Sequence, residues 1–244
     1  MSAEGFATGR TWLGLMSAAA LAACTPHIPP SPETGFVSVS QPFNVGDAGI
    51  AARAYHRSGA YTRGLATVAD EATRYLAARA SSTKRPAVVL DIDETALSNW
   101  KILKLDDFGR PIQGPCDIAL DAPCGWAAWD QLGQAVAIEP TLRLFRQARA
   151  LGVPVFFITG RPENQRAVTE RNLLAAGYEG YAHLYMVPDG SRFPSAADFK
   201  APVRASIEAA GYTILVNMGD QPSDLIGGHA EGKFLLPDPF YRVP

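Results

Sequence analysis

Ala87-Val88-Val89-Leu90-Asp91-Ile92-Asp93-Glu94-Thr95 sets four apolar residues directly ahead of two carboxylates spaced one residue apart. The apolar run has the length and composition of a buried strand. The carboxylates fall where such a strand leaves an open sheet, the edge at which α/β proteins gather ligands and chemistry. Apolar side chains can be buried freely, but two ionised carboxylates there need a pairing partner, a cation or a reaction. The pentad also fits a helix cap, with Asp or Thr opening the next helix, so alone it leaves both readings open.

Outward from this stretch, β-like runs at Val153–Ile158, His183–Val187, Thr213–Asn217 and Lys233–Leu236 alternate with helical patterns. That alternation predicts an α/β fold, a Rossmann-like parallel sheet flanked by helices. One helix is signalled by Pro140 in its first turn, inward Leu142, Phe145 and Ala148, and Gly152 beyond its end. A second is expected over 164–176, closed by Gly177. Upstream, apolar residues at helical spacing from Gly49 to Ala80 predict an N-terminal helical segment. Residues 96–139 form an insertion after the first strand, a small cap placed to act as a lid. Each of its aromatics, Trp100, Phe108, Trp126 and Trp129, reads singly as packing; together near a mouth they predict a surface for stacking bases or rings.

The chain has 244 residues, 47% hydrophobic and 19% charged, with a net charge of -2. Such a balance offers no basic face, and nucleic acid is not expected as a partner. No internal repeat divides the sequence, and its length suits one α/β domain. The beginning differs: Thr11–Ala23 is small and apolar with Arg10 as its positive flank, shorter than the roughly 20 residues of a membrane span and suited to a secretory signal. It ends in Leu21-Ala22-Ala23-Cys24, which resembles the lipobox of bacterial lipoproteins. The resemblance implies a signal peptide over 1–23, cleavage before Cys24, lipid attached to Cys24 and hence a membrane anchor. An ordinary secretory signal, or an apolar helix with an incidental cysteine, is the other reading. Residues 24–45 read as a Pro-rich tether and 46–244 as the folded domain. The expected location is the bacterial cell envelope, on the outer membrane facing the periplasm, since Thr25 stands where an aspartate would suggest inner-membrane retention. In that oxidising setting Cys116 and Cys124 are expected to form a local disulfide; two thiols or half a metal site are the alternatives.

Three further polar clusters follow the pentad: Thr159-Gly160-Arg161 after Phe156-Phe157-Ile158, Lys200 beside Phe199, and Gly219-Asp220-Gln221-Pro222-Ser223-Asp224 after Leu215-Val216-Asn217. Singly, Thr159 fits a cap, Lys200 a solvated charge, and Asp220 and Asp224 turn residues. Taken together with the pentad they resemble the haloacid dehalogenase superfamily, with its Asp-x-Asp-x-Thr, strand-end Thr or Ser, Lys and Gly-Asp-x-x-x-Asp motifs in order. The likeness narrows to the acid phosphatases of subfamily IIIB, which include plant vegetative storage proteins and bacterial lipoprotein acid phosphatases. It rests on Thr159 to Glu163, Arg171-Asn172-Leu173-Leu174, Gly219-Asp220-Gln221, Ser223-Asp224-Leu225 and Leu236-Pro237-Asp238-Pro239-Phe240-Tyr241, and covers about Ile50 to Pro244. Pro222 replaces an expected tryptophan, and the cap around Cys116 to Cys124 has no counterpart.

Phosphoryl transfer needs an in-line nucleophile, neutralised phosphate charge and a proton for the leaving oxygen. Asp91 is the candidate nucleophile, forming an aspartyl phosphate, and Asp93 the candidate general acid and base. A carboxylate approaching a phosphate dianion is repelled by about 1 kcal/mol per charge pair at 4 Å even in water, so cations are required. Mg2+ is the expected cofactor, held by Asp91, Asp220, the Asp93 backbone carbonyl and Asp224 as ligand or orienter. Lys200, the Thr159 hydroxyl and the Gly160 amide are expected to bind phosphate. Arg161 and Arg204 could steer phosphate, but by default read as exposed, and His27, His56, His183 and His229 lack metal-ligand spacing. The resulting expectation is a Mg2+-dependent acid phosphatase acting on small phosphomonoesters, with nucleoside monophosphates as candidates. A non-catalytic storage or phosphate-binding protein on the same fold, and a phosphotransferase, are the alternatives. Oligomeric state leaves no signal in the sequence.

Overall fold

The computed structural model describes residues 42–243. The signal segment, Cys24 and nearly all of the tether therefore lie outside the described residues. Helix α1, Val45–Arg57, opens at Asn44, whose side chain accepts the Gly46 amide hydrogen at 2.8 Å. It breaks at Ser58-Gly59, where Gly59 takes φ 73°, before α2, Ala60–Arg79. The expected helical prelude is thus two helices, because a left-handed residue ends one and begins the next.

Strand β1, Pro86–Leu90, is followed by the insertion. A two-residue ribbon closes the base of that insertion: β2, Leu97–Ser98, pairs antiparallel with β3, Val136–Ala137. Between them lie α3, Trp100–Leu105, the bonded pair Cys116–Cys124, and α4, Trp126–Leu132. Beyond come α5, Glu139–Ala150; β4, Val155–Pro162; α6, Arg166–Ala175; β5, His183–Val187; α7, Ala196–Ala209; β6, Thr213–Gly219; α8, Pro222–Leu225; and β7, Gly232–Leu235.

The main sheet runs β5-β4-β1-β6-β7 and every pairing in it is parallel. This is the α/β class the strand and helix alternation predicts. Alternate residues of β1 face opposite layers. Val88 and Leu90 join the large core with Leu65, Leu76, Leu142 and Phe145 of α2 and α5, while Ala87 and Val89 meet Ile207 of α7. With β1 in the middle and both faces covered, its carboxyl end is flanked by those of β4 and β6, which fixes where the chemistry-bearing turns converge. Strand β4 runs four residues past the apolar stretch, through Thr159-Gly160-Arg161-Pro162. Helix α7 is opened by Ser195, whose hydroxyl accepts the Ala197 amide hydrogen while Asp198 accepts that of Ser195.

Candidate active site

Asp91 leaves β1 with its amide still donating to the Met218 carbonyl of β6, so the sheet holds its backbone. Its carboxylate Oδ1 lies 2.5 Å from Lys200 Nζ, which reaches across from α7 and stands equally 2.5 Å from Asp224 Oδ1. Asp224 is placed by three donors: the Gln221 amide to its Oδ2 at 2.9 Å, and Asn217 Nδ2 and Arg204 Nη1 to its carbonyl at 2.9 and 2.7 Å. Gly219 makes that approach possible, because a Cβ there would sit 2.3 Å from Asp224 Oδ2. Asp220 Oδ2 accepts from Gln221 Nε2 at 2.6 Å and from the Tyr241 hydroxyl at 3.2 Å.

Asp91, Asp220 and Asp224 each offer an oxygen within 4.8 Å of the others, and all three are buried. One ammonium faces three carboxylates. Burial therefore pushes Asp91 up to about 7 in spite of the Lys200 charge, and burial with the Asp224 and Asp91 charges pushes Asp220 well above the carboxylate range. Burial alone would discharge Lys200, but Asp224 and Asp91 outweigh it and hold the ammonium protonated. A compact, all-oxygen, anionic set with too little positive charge suits a hard divalent cation of the Mg2+ kind.

Asp93 takes a different partner. Arg161 meets it edge on, Nη2 to Oδ1 at 2.7 Å and Nε to Oδ2 at 3.1 Å, and Asn99 Nδ2 donates to Oδ1 at 2.9 Å. Burial would raise the Asp93 carboxyl, yet the guanidinium and the amide hold it below its ordinary value. The carboxylate of Asp93 thus stands apart from the other three. Arg161 is 4% exposed, not the surface arginine expected from sequence, because the prolonged β4 turns it inward onto Asp93. Its Nη2 also lies 3.1 Å from Asp130 of α4. Burial and the Asp93 charge push Asp130 up to about 7 against the pull of Arg161.

The remaining predicted phosphate ligands divide. Lys200 and Gly160 line a cavity of about 460 Å3 together with Asp91, Asp93, Asp220 and Asp224. Thr159 is fully buried behind Gly160, its hydroxyl accepting the Arg161 amide hydrogen at 3.2 Å. Arg204, also read as exposed, is 1% exposed and spends its guanidinium on the carbonyls of Asp224, Ile226 and Gly228.

Residues 41–244 match the family model described as HAD superfamily, subfamily IIIB (acid phosphatase). The chain belongs to this acid phosphatase family. It is 31% identical over 185 residues to acid phosphatase 1 of Solanum lycopersicum, covering 75% of this chain and 69% of that one. Against the stem 28 kDa glycoprotein of Glycine max identity is 34% over 158 residues, 64% of this chain and 59% of that one. Vegetative storage protein 1 of Arabidopsis thaliana is 31% identical over 182 residues, 73% of this chain and 63% of that one. The chain thus spans less than two thirds of the last two relatives. The class C acid phosphatase from Bacillus anthracis shares the fold, with a TM-score of 0.63 at 19% identity over 81% of this chain and 86% of that one. Family membership places the protein among phosphomonoester hydrolases.

Within this phosphatase the expected aromatic platform is narrower than the insertion's composition suggests. Trp126 lines the cavity, 5.2 Å from Tyr241 and under the Arg110 guanidinium at 4.7 Å, with Phe193 and Phe199 on the cavity wall as well. Trp100 instead stacks on His56 at 3.5 Å, Phe108 packs on Phe240 at 5.8 Å, and Trp129 is buried with its Nε1 donating to Asn99 Oδ1. Apolar surface is what aromatic side chains bring to either use, so the sequence alone does not separate them.

Proposed function

We propose that the protein hydrolyses small phosphomonoesters in two steps through a phosphoryl group carried on Asp91, with Mg2+ as cofactor. The observation that carries this reading is Lys200 Nζ at 2.5 Å from both Asp91 and Asp224, beside Asp220, at the carboxyl end of β1. In the first step a carboxylate oxygen of Asp91 attacks phosphorus and the ester P–O bond breaks; Asp93, which Arg161 and Asn99 hold ionised in the free protein and which takes up a proton as the anionic phosphate arrives beside it, gives that proton to the departing alkoxide. In the second, Asp93 takes a proton from water, whose oxygen attacks the aspartyl phosphate; the phosphate leaves and Asp91 is restored. Lys200 and Gly160 contact the phosphate from the cavity wall. Thr159, buried behind Gly160, accepts the Arg161 amide hydrogen on its hydroxyl oxygen and retains its own hydroxyl hydrogen as a donor. Asp91, Asp220, Asp224 and the Asp93 carbonyl would hold Mg2+, which when bound neutralises phosphoryl charge. Acid quench after mixing with radiolabelled phosphomonoester tests the intermediate: label on the wild-type chain and none on Asp91→Asn supports it, and label retained on Asp91→Asn rejects it.

The cavity volume and the Trp126 and Tyr241 rings favour a small ester with a planar leaving group such as a nucleoside. Lipid attachment at Cys24, and with it the outer membrane facing the periplasm, belongs to the same reading and rests on Leu21-Ala22-Ala23-Cys24 alone. Fatty-acid labelling of the wild-type chain, lost in Cys24→Ala, tests it. The likeness to a vegetative storage protein and a stem glycoprotein keeps a second reading, phosphate binding without turnover, which the absence of hydrolysis at every pH would favour.

A further inference from the structure

Helix α4 reaches Asp93 twice through intermediaries, from two consecutive residues. Trp129 Nε1 donates to Asn99 Oδ1 at 2.8 Å, and Asn99 Nδ2 in turn donates to Asp93 Oδ1 at 2.9 Å. Glu94 fixes Asn99 between them, accepting from its amide at 2.6 Å and its Nδ2 at 2.8 Å. Asp130, next along the helix, stands 3.1 Å from Arg161 Nη2, and Arg161 grips both oxygens of Asp93. Trp129 and Asp130 are 2% and 5% exposed; Asp130 Oδ1 meets Arg161 Nη2 as an ion pair, and among the described residues Arg161 Nη1 has no hydrogen-bond partner. Arg161 already has Asp93 as its counter-ion, and a second buried carboxylate costs stability, so packing alone does not call for an acid at position 130.

We propose that α4 is a positioning element for Asp93, with Trp129 acting through Asn99 and Asp130 acting through Arg161. Both relays start on α4 in the insertion and end on the carboxylate, one through Asn99 on Oδ1 and the other through Arg161 of β4 on both oxygens, so its oxygens are aimed only when the insertion is seated over β1. Neither residue touches the reacting atoms; both are positioning residues. Misplacing a catalytic group by a fraction of an ångström is enough to lose much of its contribution. The inference rests on the reading above in which Asp93 protonates the leaving oxygen.

That dependence supplies the test. A nitrophenolate leaves without help, whereas an alkoxide needs the proton, so damage confined to Asp93 appears with alkyl esters first. kcat/KM is measured with Mg2+ for β-glycerophosphate and p-nitrophenyl phosphate on the wild type, Trp129→Phe, Asp130→Leu, Asp130→Asn and Asp93→Asn, with thermal melts to show which are folded. Trp129→Phe and Asp130→Leu are expected to lose on the order of 10- to 100-fold on β-glycerophosphate and less than about 3-fold on p-nitrophenyl phosphate. Asp130→Asn, which keeps an oxygen toward Arg161, is expected to recover most of the loss. Since the relays are separate, one folded variant from either suffices. Equal losses on both substrates, or no loss, in a background where Asp93→Asn does discriminate them overturn the positioning role and leave the acid role standing. No discrimination by Asp93→Asn overturns the acid role itself and the inference with it.

Discussion

Arg161 lies edge on to Asp93, two nitrogens on two oxygens at 2.7 and 3.1 Å, in the wall of the cavity. A planar fork matched to a planar carboxylate is the strongest arrangement either group can make. It ties the turn after β1 to the end of β4, so the pair serves the fold as well as the reaction.

Removing one side of such a pair leaves the other buried and uncompensated. Arg161→Ala is expected to destabilise the protein by about 3 to 5 kcal/mol, since both Asp93 and Asp130 lose their cation. Urea unfolding at neutral pH measures it, and a loss under about 1 kcal/mol would show that water already compensates these carboxylates.

Stability of the metal-free protein should depend on pH in a definite direction. Asp91 is raised by burial to about 7 and Asp238, also by burial, to about 6, so the folded protein holds protons that the unfolded chain has released. The contribution is complete below the ordinary carboxylate value near 4 and is lost as pH rises toward 7. Chelator-treated protein is therefore expected to unfold at lower denaturant at pH 7.5 than at pH 5, with Mg2+ closing the gap at the higher pH. A metal-free midpoint that climbs between pH 5 and 7.5 would count against the unneutralised cluster.

Arg204 holds the carbonyls of Asp224, Ile226 and Gly228 without lining the cavity. Lysine keeps the charge but cannot span three carbonyls. Arg204→Lys is expected to weaken divalent-cation affinity by roughly 10-fold while leaving phosphate inhibition at saturating metal nearly unchanged. Titration calorimetry with Mg2+ reads the first and competitive kinetics the second.

The Cys116–Cys124 bond closes a short loop in the insertion. Its removal in Cys116→Ser with Cys124→Ser is expected to cost about 2 to 3 kcal/mol by the chain-entropy argument. Hydrogen exchange should localise the loosening to residues 106–126 rather than to the sheet.

The sheet could be read from sequence because buried parallel strands are continuous apolar runs, and Val88-Val89-Leu90 and Ile214-Leu215-Val216 have no polar residue to disguise them. Asp91 could be placed because it follows such a run directly, and Asp220 because it stands just past the strand that Ile214-Leu215-Val216 begins. Arg161 and Arg204 could not. An isolated arginine is by default a surface residue, and only a partner distant in sequence, Asp93 or the Ile226 turn, makes its burial tolerable. Asp130 escaped for the same reason, since its partner Arg161 lies far along the chain, and Asn99 escaped because its link to Trp129, 30 residues on, exists only in the fold. Helix α7 was obscured by Pro202, which sits in its interior, although Ser195 and Asp198 mark its start. The division of the tryptophans between cavity and packing depends on Tyr241 and Phe240, which arrive from the far end of the chain.

In the proposed reaction Asp91, served by a divalent cation, carries the phosphoryl group. Hydrolysis of p-nitrophenyl phosphate by residues 25–244, measured from pH 4 to 8 with Mg2+, with chelator and as Asp91→Asn, tests it most directly. Turnover is expected to require both the cation and Asp91, with a loss of at least about 10³-fold when either is removed. Full activity in chelator, or in a folded Asp91→Asn, would contradict it.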